Sequence, residues 1–138
     1  MVNPGVIMKR IEQIEKHLER MRSFAFLSYE AFLDNSVAQD VVEYNLFQMV
    51  NHLIDILQHT VVDEEYGFPE TAYEAAEILF KKGILSPEDV TIFKQMVGFR
   101  NVVGHDYINI DKEVVYQILT HGEKDIRALL TRIVSKFL

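Results

Sequence analysis

Cysteine is absent from the 138-residue chain, which excludes disulfides and thiolate-bound metal. No apolar run approaches the ~20 residues that a membrane-spanning helix needs. Basic residues are missing from a long central tract. Between Arg22 and Lys81 there is no Lys or Arg, while eleven Asp and Glu fall there. A broad basic footprint for duplex nucleic acid is therefore excluded, and any nucleic-acid contact has to be local. Segments with strand periodicity, internal repeats and low-complexity tracts are lacking, as are a Gly-rich phosphate loop and a Ser/His/Asp set. The opening stretch MVNPGVIMKRIEQIEKHLERM is charged and heptad-patterned from its start, unlike a signal peptide. A cytoplasmic, single-domain protein spanning residues 1–138, with no membrane partner, is expected.

What remains is helical. Ile7, Ile11, Ile14, Leu18 and Met21 alternate steps of four and three, one apolar stripe on a helix. Pro4 suits its first turn, where the missing N–H has no intrahelical partner to lose. That stripe fits either an intramolecular bundle or an oligomer seam. A break follows from Ser23 to Asn35, with SYEAFL as a candidate helical turn. Ser36 and Gln39 form a capping-box pattern that opens a second long helix, running to about Val61. Its apolar face is wide, as at the centre of a bundle.

After a loop marked by Gly67 and Pro69, Thr71 and Glu74 form another capping box, and that short helix stops at Gly83. Ser86-Pro87-Glu88-Asp89 is a clearer start: a cap, a first-turn proline and two acids at the positive end of the dipole. This helix carries Val90, Phe93, Met96 and Val97 inward and is expected to end near Val103, with Gly104 as a left-handed stop. Asp111 caps a last helix with core positions Val114, Val115, Ile118, Leu119, Ile126, Leu129, Leu130 and Ile133. Gly122 is a candidate bend in it. The fold class is all-α, an up-and-down bundle of about five helices.

Three side groups invite functional readings. His52, Asp55 and His59 sit at i, i+3 and i+7, yet a metal site needs further ligands, and no metal or other cofactor is expected. Tyr44, Tyr73, Tyr116, Phe47, Phe80 and Phe93 lie at helical spacings and are assigned to core packing. His17 and His121 read as surface residues.

The stretch FRNVVGHDY, Phe99 to Tyr107, crowds polar groups around Gly104. On a straight helix Arg100 and His105 stand about 140° apart around the axis and about 7.5 Å apart along it. A stop at Gly104 would let the imidazole fold back toward the guanidinium. An Arg fork holds phosphate oxygens, and His moves protons near neutrality. RNA brings its own nucleophile, the 2′-hydroxyl. From the residues alone a second reading stands beside this one: Arg100 and His105 as cations complementing a helix C-terminus.

FRNVVGHDY followed by INIDKEVVYQIL resembles the Arg-x4-His-x-Tyr signature of HEPN-domain proteins, in particular the HEPN toxins encoded beside a minimal nucleotidyltransferase antitoxin. The preceding block YGFPETAYEAAEILFKKGILSPEDVTIFKQMVGFRN has the family's pattern of a Pro-containing loop, a short helix and a turn into the motif helix. VVEYNLFQMVNHLIDILQHTVV is similar to its central helix, so the resemblance spans about residues 5 to 135. It implies a helical bundle, a homodimer and a metal-independent endoribonuclease that leaves a 2′,3′-cyclic phosphate. By the same resemblance Arg100 would hold the scissile phosphate, His105 would act as general acid or base, and Asn101 would orient the phosphate or the His. Asp55 would face Arg100 or His105 from the central helix. Tyr107 would be the residue that the partner nucleotidyltransferase modifies with AMP. The competing expectation is a non-catalytic HEPN module that binds a nucleotide or serves as a protein partner.

Overall fold

In the computed structural model the backbone is described for residues 1–105 and 110–138, and side chains for residues 1–103 and 110–138. Among the described residues six helices follow in order: α1 Pro4–Arg22, α2 Tyr29–Leu33, α3 Ser36–Asp63, α4 Ala72–Lys81, α5 Pro87–His105 and α6 Lys112–Phe137. No strand occurs among the described residues. The sixth element beyond the expected five is α2, a five-residue helix inside the segment read as a break.

Local chemistry accounts for most ends. Asn3 caps α1 by accepting the Gly5 N–H at 3.0 Å, with Pro4 in the first turn. Thr71 Oγ1 accepts the Glu74 N–H at 3.0 Å, and α4 gives way to Gly83 at φ 76°. At α5 the box is reciprocal: Ser86 Oγ accepts the Asp89 N–H at 3.1 Å, and Asp89 Oδ2 accepts the Ser86 N–H at 2.9 Å. Asp111 Oδ1 caps α6 by accepting from Glu113 and Val114. Two boundaries differ from expectation. The cap of α3 is Asn35, whose Oδ1 accepts the Ala38 N–H at 2.9 Å, while Ser36 is already helical. Gln39 turns instead to the end of α2, donating to the Phe32 and Leu33 carbonyls at 2.8 and 2.9 Å. And α5 runs through Gly104 to His105 rather than ending near Val103. Glycine permits a left-handed stop without imposing one.

Helix α3 is the central element, packed by α1 along one side and by α4, α5 and α6 elsewhere. Leu46, Met49, Val50, Leu53, Ile56 and Leu57 of α3 are fully buried. The α1 stripe is used inside the chain: Ile7, Ile14, Leu18 and Met21 are buried in the common core, and Ile11 is partly so. The inward residues expected of α5 are buried as well. In α6 Val114 is exposed and Ile118 only partly covered, because the groove between α5 and α6 is open. Helix α6 runs unbroken through Gly122, which is buried; a Cβ there would meet Ile118 Cγ2, one turn back on the same helix, at 2.8 Å.

The aromatic assignment needs correction. Phe93 is wholly buried, but Tyr44, Tyr73 and Phe80 are exposed and Phe47 is half-buried. Tyr116 is also half-buried, its ring beside Phe32 and its hydroxyl donating to the Leu27 carbonyl at 2.7 Å. His17, read as a surface residue, is buried between α1 and α3.

Candidate active site

The last turns of α5 deliver Arg100 and Asn101 into a cleft of about 650 Å³ bounded by α3, the start of α4 and α5. Arg100 is half-buried. Its Nε and Nη2 donate to Asn101 Oδ1 at 3.1 and 2.9 Å, and its Nη1 donates to Asn51 Oδ1 at 3.4 Å. A guanidinium carries only donors, so the amide atoms facing it are oxygens. Those dipoles fix the plane of the fork without cancelling its charge, an arrangement suited to an incoming anion.

Asn51 was not singled out by sequence reasoning. Its only signal was position: one turn before Asp55, on the same flank of α3. Asp55 lines the same cleft, but its carboxylate pairs with Arg10 of α1, Nη2 to Oδ2 at 3.2 Å. The α3 side chain that bonds Arg100 is thus an amide, and Asp55 stands one turn further along the wall.

The expected general acid–base, His105, falls at the final position of α5, and its side chain lies outside the described residues. Tyr107 lies outside them altogether. Since the helix is continuous from Arg100 to His105, the five-residue step keeps their Cα atoms about 140° apart in azimuth and about 7.5 Å apart in height. The folding-back that a stop at Gly104 would have allowed is not how the α5 backbone runs.

Behind the cleft, α1 and α3 share a polar seam. Asn45 Nδ2 donates to the Val41 carbonyl at 2.7 Å, so its Oδ1 accepts from His17 Nδ1 at 2.9 Å. The His17 and His52 rings stack with centroids 5.8 Å apart. Arg10 Nη1 donates to His52 Nδ1 at 3.1 Å, which sets the neutral tautomer with the proton on Nε2. Burial, then the charges of Arg10 and His17, hold the His52 pKa below its ordinary value, with Asp55 opposing them. His52 therefore offers Nδ1 to a guanidinium, while His59 is exposed. No cluster of three metal-ligating side chains occurs among the described residues.

Comparison with known proteins places these elements. A family model described as ribonuclease HepT-like matches residues 14–133. The chain is 23% identical over 125 residues to an mRNA nuclease HepT of Shewanella oneidensis, covering 91% of this chain and 93% of that one. It is 29% identical over 120 residues to a tRNA nuclease HepT of Aphanizomenon flos-aquae, covering 86% and 81%. Among solved structures it resembles the tri-AMPylated HEPN toxin of Shewanella oneidensis in complex with an MNT antitoxin. The TM-score is 0.86 at 23% identity, covering 96% of this chain and 98% of that one. The fold is thus the all-α HEPN fold. Because the family match runs through the core helices and the whole of the α5 motif helix, the chain belongs to the ribonuclease HepT-like family.

Proposed function

We propose that this protein is the toxin of a toxin–antitoxin pair, an endoribonuclease whose phosphate-binding group is Arg100. The observation that carries this reading is the guanidinium held in plane by two amide oxygens in an open cleft. A scissile phosphate would rest on the Nη1–Nη2 end of the guanidinium, since the Nε–Nη2 edge donates to Asn101. The RNA 2′-hydroxyl attacks phosphorus as its proton passes to a base. The O2′–P bond forms, the P–O5′ bond breaks, and the departing O5′ takes a proton from an acid. The products are a 2′,3′-cyclic phosphate and a free 5′-hydroxyl. His105 supplies one of the two proton transfers, and Asn101 keeps the fork in register. Since the nucleophile belongs to the substrate, the reaction is expected to proceed in EDTA.

The relatives support this reading through their names, nucleases of mRNA and tRNA. The complex of the Shewanella toxin with its antitoxin supports a nucleotidyltransferase partner. In this chain Tyr107 is the proposed site of AMP attachment. An adenylate two residues from His105 adds bulk and negative charge where RNA phosphate would bind, and so closes the site.

Purified protein should cleave RNA in EDTA, and His105→Ala should lower the rate at least ~100-fold at unchanged thermal midpoint. Arg100→Lys should also lose on the order of 100-fold, because an ammonium replaces the planar fork with a point charge. Wild-type protein that leaves RNA intact would point instead to a non-catalytic nucleotide-binding or partner-binding module. For the modification, incubation with the partner enzyme and ATP should add AMP-sized mass. A gain that survives unchanged in Tyr107→Phe would place the acceptor elsewhere.

A further inference from the structure

The Arg100 cleft is larger than one phosphate requires, and its walls are chemically graded. At the α5 end Arg100 faces the oxygens of Asn51 and Asn101, and among the described residues neither amide NH2 has an acceptor. This end is rich in donors and suits the oxygens of phosphate and sugar. Along α3, Asn51, Asp55 and Gln58 follow at i, i+4 and i+7, one stripe about 10 Å long. Between the two amides the wall carries an acceptor, the Asp55 carboxylate, and Glu70 ahead of α4 lines the same cleft. Ionised carboxylates accept only. Arg10, reaching from α1, pairs with Asp55 Oδ2 at 3.2 Å; each carboxylate oxygen keeps a further lone pair for another donor.

Two further features narrow the occupant. The N-terminus of α4, which borders the cleft, is already capped: Thr71 takes the Glu74 N–H, and Glu74 Oε2 takes the Glu70 N–H. It is not a second anion site. Tyr73, the second residue of α4, is exposed at the cleft wall, with its hydroxyl 3.9 Å from where a Cβ on Gly98 would stand. An exposed ring beside a polar slot is a stacking surface for a base.

We propose that this cleft is a nucleobase subsite selective for guanine, seating the base of the nucleotide whose phosphate rests on Arg100. Guanine's Watson–Crick edge presents adjacent N1–H and N2–H donors, which match the two oxygens of a carboxylate. Adenine and cytosine each set one amino group beside a ring acceptor, which a carboxylate repels. Uracil offers a single N–H between two carbonyls. The identity of the phosphate rests on the ribonuclease reading; the base preference does not, and the two are tested apart.

The test is NMR titration of wild-type protein with the 3′-monophosphates of guanosine, adenosine, cytidine and uridine, following the side-chain amides of Asn51, Gln58 and Asn101. Guanosine 3′-monophosphate should move all three and bind at least ~5-fold tighter than the others, a discrimination within reach of one paired edge. Asp55→Asn should bring the four affinities within ~2-fold of one another by weakening guanine alone. Tyr73→Ala should weaken all four alike, since stacking is blind to sequence. Equal affinities in the wild type, tighter binding of another base, or shifts that bypass these amides would overturn the proposal. In parallel, cleavage sites mapped on RNA of random sequence should show guanine enriched at one fixed position. Selective guanosine binding without RNA cleavage would uphold the subsite and sink the ribonuclease reading. Cleavage without base preference or selective binding would do the reverse.

Discussion

His52 is bonded in one charge state only. As a neutral imidazole it accepts from Arg10 through Nδ1; protonated, it would aim an N–H at a guanidinium. Burial and the neighbouring cations hold its pKa below the ordinary value of 6.5 in the folded chain. The unfolded chain therefore binds the proton first as pH falls. By linkage, the stability this group contributes is complete above about pH 6.5 and is lost as pH drops through the lowered folded value. Glu77 and Glu123, whose pKa values are pushed down chiefly by hydrogen bonds from Lys94 and Arg22, start from 4.5. They titrate below this window. Urea midpoints should thus fall between pH 7 and pH 5, and His52→Gln, which keeps an acceptor for Arg10 but does not titrate, should flatten that slope. An unchanged slope in the variant would assign the effect to another group.

Elements in this chain are bounded by short-range chemistry, and their ends make sharp predictions. Asp89 is 4% exposed, accepts the Ser86 N–H at 2.9 Å and pairs with Arg132 Nε at 2.5 Å. It joins the start of α5 to the far half of α6. Asp89→Ala removes the acidic half of the capping box, leaving the Ser86 cap itself, and leaves the Arg132 guanidinium without its carboxylate, a loss of about 2–4 kcal/mol measurable by urea unfolding. Asp89→Asn keeps an acceptor and should lose less than half of that. Glu65 follows α3 at φ 58°, while the Tyr66 N–H reaches back to the Val61 carbonyl at 2.9 Å. A side chain is strained in that conformation, so Glu65→Gly should stabilise by about 1 kcal/mol. A lower urea midpoint for that variant would show that Glu65 makes compensating contacts.

The same locality explains what was legible in the sequence. The caps at Thr71, Ser86 and Asp111 could be read because donor and acceptor lie within three residues of each other. At α3 two adjacent cap-forming residues competed, and Asn35 took the role assigned to Ser36. His17 lies between Ile14 and Leu18 on the buried side of α1, but the group that satisfies it, Asn45, is 28 residues away. Arg100 stood out through its motif. The Asn51 oxygen that orients it comes from 49 residues earlier, beyond any local pattern.

At the scale of the whole molecule, α5 sets Arg100 and Asn101 on one flank and Phe99 and Val102 on another. The second flank, with Met96 before it and Val114 and Ile118 from α6, lines an apolar groove of about 540 Å³. For the homodimer that the family resemblance implies, this groove is the candidate seam. The geometry of α5 also says how such a dimer would use its motifs. Arg100 and His105 stand about 140° apart on one continuous helix, so convergence on a single phosphate is easier for an Arg from one copy and a His from the other. Val102→Glu should then give monomers in sedimentation and abolish cleavage. Mixing two inactive proteins, Arg100→Ala and His105→Ala, gives the sharper test. If each site takes its Arg and His from different copies, every mixed dimer contains one intact site and one doubly defective site. With random exchange half the dimers are mixed, so activity should recover to about a quarter of wild type. If each copy used its own pair, the mixed dimer would carry two defective sites and recovery would be nil.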